Sequence, residues 1–489
     1  MIRRDFIKLI GKSSVTAWAG SSLLLQACHT EEDMIGKPNW IVEGSFDTPM
    51  FIPQKVSGTT SLVAQTSSSN LLKGSITGTM AYGNGILGPT FDVQKGETLS
   101  IHLQNKLTEP TNIHWHGLVL PADMDGHPED LALPGGSFHY QLPIHQRAGT
   151  YWYHPHPHEA TARQVFMGLA GMFLVRDEEE AALNLPSGDY EIPLIIQDKR
   201  LSGTSLTYAP SEVEIMTGYL GETILINGLN APFQSVEKRW YRLRLLNGST
   251  ARVYQLGFSN QQPFYLIGTD GGLLEKPEKL TSLLLAPGER ADVLINFNDF
   301  PIGSEVYLSS AKFSQFNLQG RQEFRIMKFR VDKASTDSFL MPVVLSTLSA
   351  LPASAASRVR TLNISKLVGG TGSHSSGSRH GINGMTYDND HSAFTVSAGE
   401  TEIWEFDNLE GDEIHPMHIH GVQFQILNRM GGRGQVFAYE KGWKDTVMVM
   451  PGEKVSVIMS FPSYIGKFVF HCHNLEHEDD GMMLNYEVS

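Results

Sequence analysis

The sequence predicts an all-β protein made of repeated sandwich-like domains. Short segments in which apolar and polar residues alternate recur along the chain, as expected for strands with one buried face. The 47 glycines and 24 prolines indicate many turns between these segments. Sustained helical periodicity is nearly absent after residue 30, which argues against a mainly helical fold.

A short motif repeats along the chain and supports this fold class. It consists of Gly-Glu followed by alternating apolar residues, and it occurs as QKGETLSIHLQN (94–105), APGERADVLINF (286–297), SAGETEIWEFDN (397–408) and MPGEKVSVIMSF (450–461). Each copy predicts a turn that leads into a half-buried strand. Such recurrence indicates internal repetition of one kind of domain.

Shifts in composition indicate where the domains meet. The segment 176–189 is acidic and rich in turn residues, and the segment 332–358 is rich in Ser, Ala and Pro. A chain of 489 residues is long enough for about three domains of ordinary size. We therefore predict domains at 45–178, 186–335 and 358–489, and a surface loop at 369–381.

The net charge of −14 argues against nucleic acid as a partner, because that binding needs clustered basic residues. An acidic surface favours cationic substrates, and it also promotes solubility without any ligand. Composition leaves both interpretations open.

Residues 1–27 predict an export signal rather than part of the fold. Arg3 and Arg4 precede an apolar stretch that is too short and too interrupted for a transmembrane span. The start resembles a twin-arginine signal, and Leu-Gln-Ala-Cys at 25–28 resembles a bacterial lipoprotein cleavage box. The sequence therefore predicts a periplasmic protein, with lipidation of Cys28 as the route to a membrane anchor.

The chain contains two cysteines, so Cys472 has no disulfide partner if Cys28 carries a lipid. Cys472 lies between two histidines in the stretch FVFHCHNLEHEDDGMM at 468–483. A buried inert thiol is one interpretation of such a residue. The neighbouring histidines and methionines favour a metal ligand instead.

The histidines are confined to the two outer domains and the N-terminus. All 19 lie at or before His158 or at or after His374, so the predicted middle domain has none. The outer domains each hold two His-x-His pairs, which are His114/His116, His154/His156, His418/His420 and His471/His473. Residues two apart in a strand point to the same face, and neutral imidazole binds copper, zinc and iron. One pair would be ordinary, but four pairs predict a site for several metal ions between the two domains.

Cys472 belongs to a second predicted site. In a strand its sulfur points to the face opposite both neighbouring histidines. Cys472, His477 and Met482 follow a Cys-x4-His-x4-Met spacing, and His415 lies upstream. Two imidazoles, a thiolate and a weak thioether are the ligands of a blue copper electron-transfer site. Zinc would favour a closed tetrahedral set and makes no redox use of the methionine.

Four segments resemble the copper signatures of the multicopper oxidase family. They are HWHGLVLPADMDGHP from 114, YWYHPHPHEATARQVFMGLAGM from 151, HPMHIHGVQFQIL from 415 and HCHNLEHEDDGMM from 471. The likeness is greatest to the bacterial periplasmic three-domain laccase and cuprous-oxidase group, and it covers the chain after residue 45. It implies three consecutive cupredoxin-like Greek-key β-sandwich domains, and we expect a monomer.

The resemblance also implies four copper ions and their ligands. These are His415, Cys472, His477 and axial Met482 for a type 1 copper, His114 and His418 for a type 2 copper, and His116, His154, His156, His420, His471 and His473 for a type 3 pair. The implied reaction couples four one-electron oxidations of a donor to the reduction of O2 to water, with copper supplying the redox chemistry.

Water formation consumes protons, so a carboxylate relay to the cluster is expected. Glu478, directly after His477, and Asp125 match family positions that have this role. An ordinary solvated carboxylate is the alternative interpretation of each residue.

The donor is the less specified part of the resemblance. Cuprous-oxidising relatives carry a methionine-rich insert, but the segment 365–381 contains no methionine, and Asp412 and Glu413 precede His415. Carboxylates suit Fe(II), Mn(II) or a hydrogen-bonded phenol better than Cu(I). We expect phenolic compounds or metal ions such as Fe(II) and Cu(I) as donors, with Asp412 and Glu413 as substrate residues. A solvated acidic loop is the alternative.

Two other functions remain open at this point. A copper-free structural relative that assists cell division would share the fold without the ligands. A copper nitrite reductase would share the type 1 site without the trinuclear cluster. Because every paired histidine is present, the sequence favours the oxidase.

Overall fold

Strands dominate the structure, as the sequence predicts. The computed structural model describes residues 43–313, 319–368 and 378–489. The described strands form three β-sandwiches in chain order, joined by short helices and turns. The all-β fold class is therefore confirmed. The predicted export signal at 1–27 and Cys28 lie outside the described residues and stay predictions.

The first sandwich is built from the N-terminal strands. These strands are β1 (Thr48–Pro49), β2 (Lys55–Val56), β3 (Thr60–Ser69), β4 (Thr77–Tyr82), β5 (Thr90–Gln94), β6 (Thr98–Asn105), β7 (Ser137–Pro143), β8 (Gly149–Tyr153) and β9 (Gly171–Arg176). One sheet has the order β4-β3-β6-β7 and the facing sheet has the order β2-β5-β9-β8.

The middle sandwich is larger. Its strands are β10 (Glu191–Lys199), β11 (Leu201–Ser202), β12 (Ser205–Leu206), β13 (Thr223–Ile226), β14 (Leu229–Asn230), β15 (Pro232–Glu237), β16 (Trp240–Asn247), β17 (Tyr254–Phe258), β18 (Phe264–Thr269), β19 (Gly272–Leu280), β20 (Ser282–Leu285), β21 (Arg290–Asn296), β22 (Glu305–Ser310) and β23 (Phe324–Lys333). A sheet in the order β14-β13-β10-β16-β21-β18-β19 packs on a sheet in the order β1-β15-β23-β22-β17-β20, while β11 and β12 form a separate hairpin.

The third sandwich has two five-stranded sheets. Its strands are β24 (Arg358–Val368), β25 (Ser378–Ile382), β26 (Ser392–Val396), β27 (Thr401–Asn408), β28 (His415–Ile419), β29 (Phe424–Gly431), β30 (Thr446–Val449), β31 (Glu453–Ser460), β32 (Gly466–Cys472) and β33 (Met483–Val488). The sheet orders are β25-β24-β27-β31-β29 and β26-β33-β32-β28-β30.

The helices are short and lie between strands. The α-helices are α1 (Thr161–Met167), α2 (Glu178–Ala182), α3 (Glu212–Thr217) and α4 (Leu475–Asp479), and single 3-10 turns span Ala122–Met124, Gly188–Tyr190, Ser259–Gln261, Ala353–Ala355 and Ala438–Glu440. Ser211 starts α3 with a capping box, in which its hydroxyl and the Glu214 carboxylate satisfy backbone N–H groups reciprocally. No helix in the described part of the chain has the length and apolarity needed to cross a membrane.

One topology is used three times. In each sandwich, strands that are not consecutive pair in parallel: β3 with β6 and β5 with β9, then β10 with β16 and β15 with β23, then β24 with β27 and β26 with β33. Parallel neighbours require a connection that crosses from one sheet to the other, so each sandwich repeats the same pair of crossovers. The predicted repetition of one kind of domain is confirmed.

The repeated Gly-Glu motif has a backbone cause. Gly96, Gly288, Gly399 and Gly452 have φ angles of 94°, 83°, 80° and 73°, a region that favours glycine. Each glycine closes the tight turn directly before β6, β21, β27 or β31. All four copies therefore form the turn and strand that the sequence predicts.

Two segments differ from the sequence prediction. Thr48–Pro49 was predicted to belong to the first domain but pairs in parallel with β15 of the middle sandwich. The reason is that its backbone supplies hydrogen-bond partners to the open edge of that sheet. Ser378–Ile382, of which all but the last residue was predicted to be surface loop, forms a strand, since it pairs antiparallel with β24. The rest of that loop, residues 369–377, lies outside the described part.

Buried ion pairs join the first and middle sandwiches. Arg244 on β16 is fully buried, and its guanidinium donates hydrogen bonds to Glu191 (2.8 Å) and Glu180 (2.7 Å). It also donates to the Thr150 hydroxyl on β8 of the first sandwich at 3.1 Å. Buried charges of this kind are stable only when every member is paired. This cluster therefore fixes the orientation of the two domains.

We expect Arg244→Ala to lower the free energy of unfolding by about 3–5 kcal/mol, because it leaves buried carboxylates without their partner. The control is Arg330→Ala. The Arg330 side chain is 45% exposed beside Asp332, so its removal should lower the free energy of unfolding by only about 0–1 kcal/mol. Urea unfolding followed by tryptophan fluorescence measures both. Equal midpoints for the two variants would contradict this role of Arg244.

Candidate metal centres

Two His-x-His pairs of the first sandwich meet at its edge. His114 follows β6 in the chain, and His154 directly follows β8. Their backbones form an isolated antiparallel bridge, with His114 N–H to His154 O at 2.8 Å and His154 N–H to His114 O at 3.2 Å. This bridge holds the two pairs side by side.

Strand pairing places the histidines of the third sandwich. On β28 and β32, His418 lies opposite His471, and Met417 lies opposite Cys472. Neighbours along a strand point to opposite faces, so His471 and Cys472 diverge. Met417 and Cys472 face the apolar core of the sandwich, whereas His418 and His471 face the first sandwich.

The eight paired histidines converge between the first and third sandwiches. Their nitrogens form three groups in which all ligand atoms lie within 4.8 Å of one another: His114/His116/His418, His116/His154/His473 and His156/His420/His471. Every group draws on both sandwiches, so neither domain could form the array by itself. All eight side chains are buried, with exposures of 0–1%.

Hydrogen bonds to carbonyl groups fix the protonation of these rings. The Nδ1 atoms of His114, His418 and His471 lie 2.8, 2.7 and 3.0 Å from the carbonyl oxygens of Asp125, Asp445 and Cys472. A carbonyl can only accept, so each Nδ1 must carry the proton. The Nε2 atom of each neutral ring then presents a lone pair to the centre of the array.

Two of these lone pairs, on His114 and His418, face each other without a proton between them. The Nε2 atoms of His114 and His418 are 3.3 Å apart, and the Nε2 atom of His471 lies 3.2 Å from that of His156 and 3.1 Å from that of His420. Two acceptors at such distances repel each other unless a cation lies between them. The donor set therefore fits metal ions that prefer neutral imidazole.

Burial favours the uncharged form of seven histidines of the array. It lowers the pKa of His418 to about 3 and that of His154 to about 4. Burial is also the main cause of pKa values well below the usual range for His114, His116, His156, His420 and His473. Neutral imidazole is the form that binds metal, so the ligands need no deprotonation near neutral pH.

His116 is held in the reverse orientation. Its Nε2–H donates to the Asp445 carboxylate at 2.9 Å, which leaves Nδ1 as the atom free to bind metal. Arg290 of the middle sandwich donates to both oxygens of Asp445, and Gly288 lies so close to His116 and His473 that an added Cβ would be 3.0–3.1 Å from them. The middle domain thus contributes positioning residues without any histidine.

Asp445 and Arg290 were not singled out from the sequence. Asp445 directly precedes β30, and Arg290 directly follows the Gly-Glu of the second motif copy. A charged residue at the start of a strand is usually solvated. Both side chains are instead 0–1% exposed. Their polar character inside a buried strand is the signal that could have identified them.

The two predicted relay carboxylates both contact the array. Asp125 Oδ2 lies 2.7 Å from His420 Nδ1, and its Oδ1 has no hydrogen-bond partner among the described residues. Burial raises the pKa of Asp125 well above its usual value, with Asp130 adding to the shift. Asp125 can therefore hold a proton beside His420.

Glu478 on α4 lies on the other side of the array. Its oxygens are 3.0 Å from His471 Nδ1 and 3.6 Å from His156 Nε2, but neither accepts a well-directed hydrogen bond from a described residue, since the His471 proton points to Cys472 O. Burial raises the pKa of Glu478, whereas positive charge placed beside its carboxylate, at His156 or His471, would lower it. A cation in the array would favour the carboxylate in the same way.

Cys472, His415 and His477 form a separate group inside the third sandwich. The Cys472 sulfur lies 3.5 Å from the Nδ1 atom of each histidine, and Met482 O accepts the Cys472 N–H at 3.1 Å. The side chains of these three residues and of Met482 are all buried, with exposures of 0–1%. Burial raises the pKa of the Cys472 thiol, so a thiolate here requires a neighbouring cation. Two imidazoles, a thiol and a nearby thioether fit copper.

The remaining predicted residues lie outside both groups. Asp412 is exposed and pairs with Lys366 at 2.7 Å, whereas Glu413 is buried, at 7% exposure. Their predicted contact with substrate stays a prediction. His158 packs on Tyr387 with ring centroids 4.7 Å apart and joins none of the three-histidine groups.

Three family models, each described as multicopper oxidase, match residues 64–180, 205–326 and 360–489. The chain is 35% identical to the multicopper oxidase mco of Staphylococcus aureus over 434 residues, and this alignment covers 88% of each protein. It is also 35% identical over 407 residues to the cell division protein FtsP of Escherichia coli, covering 81% of this chain and 82% of that protein.

A solved structure of the multicopper oxidase McoA from Aquifex aeolicus superposes with a TM-score of 0.82 at 34% identity, covering 90% of this chain and 99% of McoA. The three sandwiches are thus cupredoxin-like domains in the arrangement that these oxidases use. The chain belongs to the multicopper oxidase family, which consists of copper-dependent oxidoreductases that use O2 as the electron acceptor.

Proposed function

We propose that this chain is a laccase-like oxidase in which the two groups of buried residues form a type 1 centre and a trinuclear centre. The observation that carries the proposal is the pair of facing lone pairs on His114 and His418, 3.3 Å apart in a buried array. Such an arrangement is stable with a cation and repulsive without one. The separate group of Cys472, His415 and His477 supplies the type 1 centre of the proposed enzyme.

The ligand assignment follows the side-chain groups. We assign the type 1 copper to His415, Cys472, His477 and Met482, the type 2 copper to His114 and His418, and the type 3 pair to His116, His154 and His473 on one side and His156, His420 and His471 on the other. Bound copper supplies one-electron redox chemistry at both centres.

The backbone at Cys472 supports electron transfer between the centres. Cys472 is bonded covalently to His471, its neighbour on β32, and to His473, which directly follows the strand. The side chains of His471 and Cys472 point to opposite faces. A through-bond path therefore runs from the thiol group to the histidine array. The division of neighbouring residues between two faces is what makes this connection so short.

Protons reach the array through its carboxylates. Asp125 has a raised pKa and contacts His420, so it can store a proton. Glu478 lies on the side of His156 and His471, where it can accept and pass protons. We assign both residues to proton delivery during O2 reduction.

The donors are phenolic compounds or metal ions such as Fe(II) or Cu(I). Asp412 and Glu413 directly precede His415, and a carboxylate next to a type 1 ligand favours a hard cation or a phenolic hydroxyl. The N-terminal sequence supports export to the periplasm. We propose a monomer, and lipidation at Cys28 would tether it to a membrane.

The likeness to FtsP leaves a copper-free role in cell division as the second candidate. That role needs the fold without the ligands, whereas in this chain the Nε2 lone pairs of His114 and His418 face each other at 3.3 Å, an arrangement that a bound cation stabilises. Copper analysis of purified protein separates the two functions. Four copper ions per chain support the oxidase, and a colourless protein without copper supports the other role.

We expect Cys472→Ser to remove one copper ion per chain and the blue colour, because a serine hydroxyl is not deprotonated at this site. Oxygen uptake with every donor should fall to background, since electrons lose their entry point. Cys28→Ser is the matched control and should retain both properties. Copper analysis, the visible spectrum and an oxygen electrode measure the result. A blue Cys472→Ser protein would refute the assignment.

We expect Asp445→Ala to weaken copper retention in the trinuclear centre by about 10–100-fold, because His116 loses the partner that fixes its orientation. Titration with a chelator measures the retention, and the blue colour should persist because Asp445 does not contact Cys472. The exposed Asp390→Ala serves as the control. Parallel loss of the blue colour would show that Asp445 supports the whole domain instead.

We expect Glu478→Gln to keep the blue colour and full copper content while slowing O2 turnover by about 10²–10⁴-fold, because an amide cannot relay protons. Reduction of the type 1 centre without oxygen should stay at the normal rate. The exposed Glu487→Gln is the control. Normal O2 turnover in Glu478→Gln would remove Glu478 from the relay.

A further inference from the structure

The long connection between the middle and third sandwiches carries three aliphatic side chains that face solvent. Leu340, Val343 and Val344 are 86%, 84% and 64% exposed, and they lie within five residues of one another. Isolated exposed aliphatic residues are normal on a soluble protein, whereas a contiguous apolar patch marks an interaction surface. We call residues 337–345, which include all three, the apolar strap.

The apolar strap is anchored on the middle sandwich at both ends. Phe339 packs on Trp240 with ring centroids 5.8 Å apart, and Met341 contacts the same apolar core. At the other end, Leu345 is 1% exposed, and its N–H donates to the carbonyl oxygen of Glu275 on β19 at 2.9 Å. The residues between these anchors are therefore exposed on a fixed segment and do not belong to a loose linker.

Basic residues flank both ends of the apolar strap. Lys333 is the last residue of β23, just before the strap begins, and the Lys238 N–H donates to its carbonyl oxygen at 2.9 Å. Lys276 lies at the other end, because it directly follows Glu275, the residue that accepts from Leu345. Within the described part of the chain, none of these three ammonium groups has a carboxylate at ion-pair distance.

The acidic groups nearby are mostly engaged with arginines. Asp337, in the strap itself, has a side chain that is 3% exposed and pairs with Arg239 at 3.7 Å, and Asp332 pairs with Arg330 at 3.1 Å. The exposed Glu275 offsets one of the three ammonium charges and leaves two. Exposed charges are screened beyond about 8 Å at physiological salt, so this local surplus matters more than the net charge of −14.

An apolar segment flanked by unpaired lysines fits the surface of an anionic bilayer. Aliphatic side chains enter the boundary between headgroups and acyl chains, and lysines attract acidic headgroups. A second copy of this chain fits less well, because a stable protein interface needs roughly 20 residues a side. The N-terminal sequence also predicts export and lipidation, which would bring the protein to a membrane.

We propose that the apolar strap is a membrane-docking element for bilayers that contain anionic phospholipids. Its three aliphatic side chains enter the headgroup boundary, and the three flanking lysines lie among the phosphates. This contact adds a second signal to the predicted lipid at Cys28, and stable anchoring generally takes two signals. It requires neither bound copper nor oxidase activity.

The test measures binding of the copper-loaded protein to vesicles. The protein runs from residue 28 onward with Cys28→Ser, which keeps all three sandwiches and removes both the predicted signal and any lipid. Flotation with vesicles of equimolar phosphatidylglycerol and phosphatidylethanolamine is compared with flotation with pure phosphatidylcholine. We expect binding to the anionic vesicles only, and weaker binding as salt is raised, because salt screens the lysines.

The decisive variant removes the apolar side chains. We expect Leu340→Ser, Val343→Ser and Val344→Ser together to weaken vesicle binding about tenfold, because less apolar area enters the bilayer. The matched control is Ile76→Ser with Ile465→Ser, whose side chains are 72% and 68% exposed on other domains and whose loss should leave binding unchanged. Unfolding midpoints and oxygen uptake with hydroquinone in solution show that each variant is folded.

Two further measurements separate insertion from attraction. Leu340→Trp should give a blue shift of its difference fluorescence with anionic vesicles, whereas Ile465→Trp should give none. Lys238→Gln, Lys276→Gln and Lys333→Gln together should abolish the preference for anionic vesicles.

Four outcomes would overturn the proposal. They are absence of binding to anionic vesicles, equal binding to phosphatidylcholine, undiminished binding of the triple serine variant, and equal loss in the isoleucine control. A dimer in sedimentation velocity that the triple serine variant loses, without any vesicle binding, would assign the apolar strap to a second copy instead. Failure of the oxidase function is distinguishable, because it would remove oxygen uptake from every variant and leave vesicle binding unchanged.

Discussion

The fixed protonation of the buried histidines is the constraint on which the rest of the structure depends. Main-chain carbonyls accept hydrogen bonds from the Nδ1–H groups of His114, His418 and His471. The Nε2 lone pairs of these three rings must therefore face inward. Those carbonyls belong to turns and strand ends whose positions are set by the β-sandwiches. The backbone, through the fold, therefore decides which atom of each ring is available to a metal.

This constraint explains why the protein needs three domains when two of them hold the histidines. The middle sandwich places Gly288 against His116 and His473, and its Arg290 holds Asp445, which in turn holds His116. One chain of contacts thus passes through all three domains. The array lies at the junction of the first and third sandwiches, and domain junctions are common places for ligand sites. The junction of the first and middle sandwiches is held by the buried ion pairs of Arg244.

Much of the fold was predictable because its signals are local. The Gly-Glu motif marks turns whose glycines need positive φ, and the alternation after it marks strands. The histidine pairs were equally visible, since two residues of one face repeat at a spacing of two. Family likeness then supplied the roles of Cys472 and Met482, which spacing by itself only suggested.

The sequence could not show what depends on long-range packing. Nothing near His380 in the chain indicates that it contacts His415 and His477, because the flanking Gly and Ser residues are typical of a loop. Asp445 and Arg290 likewise gain their meaning from a contact between residues 155 positions apart. The crossing of β1 onto the middle sandwich has the same cause, since strand partners are chosen in three dimensions.

The pairing of β28 with β32 carries a consequence for how this protein can evolve. Cys472 and His471 face opposite sides because they are adjacent in one strand opposite Met417 and His418. Insertion or deletion of a single residue upstream in β32 would exchange those sides, turning sulfur toward the neighbouring domain and imidazole into the apolar interior. A single-residue change of length in this strand therefore removes both centres together instead of weakening either one gradually.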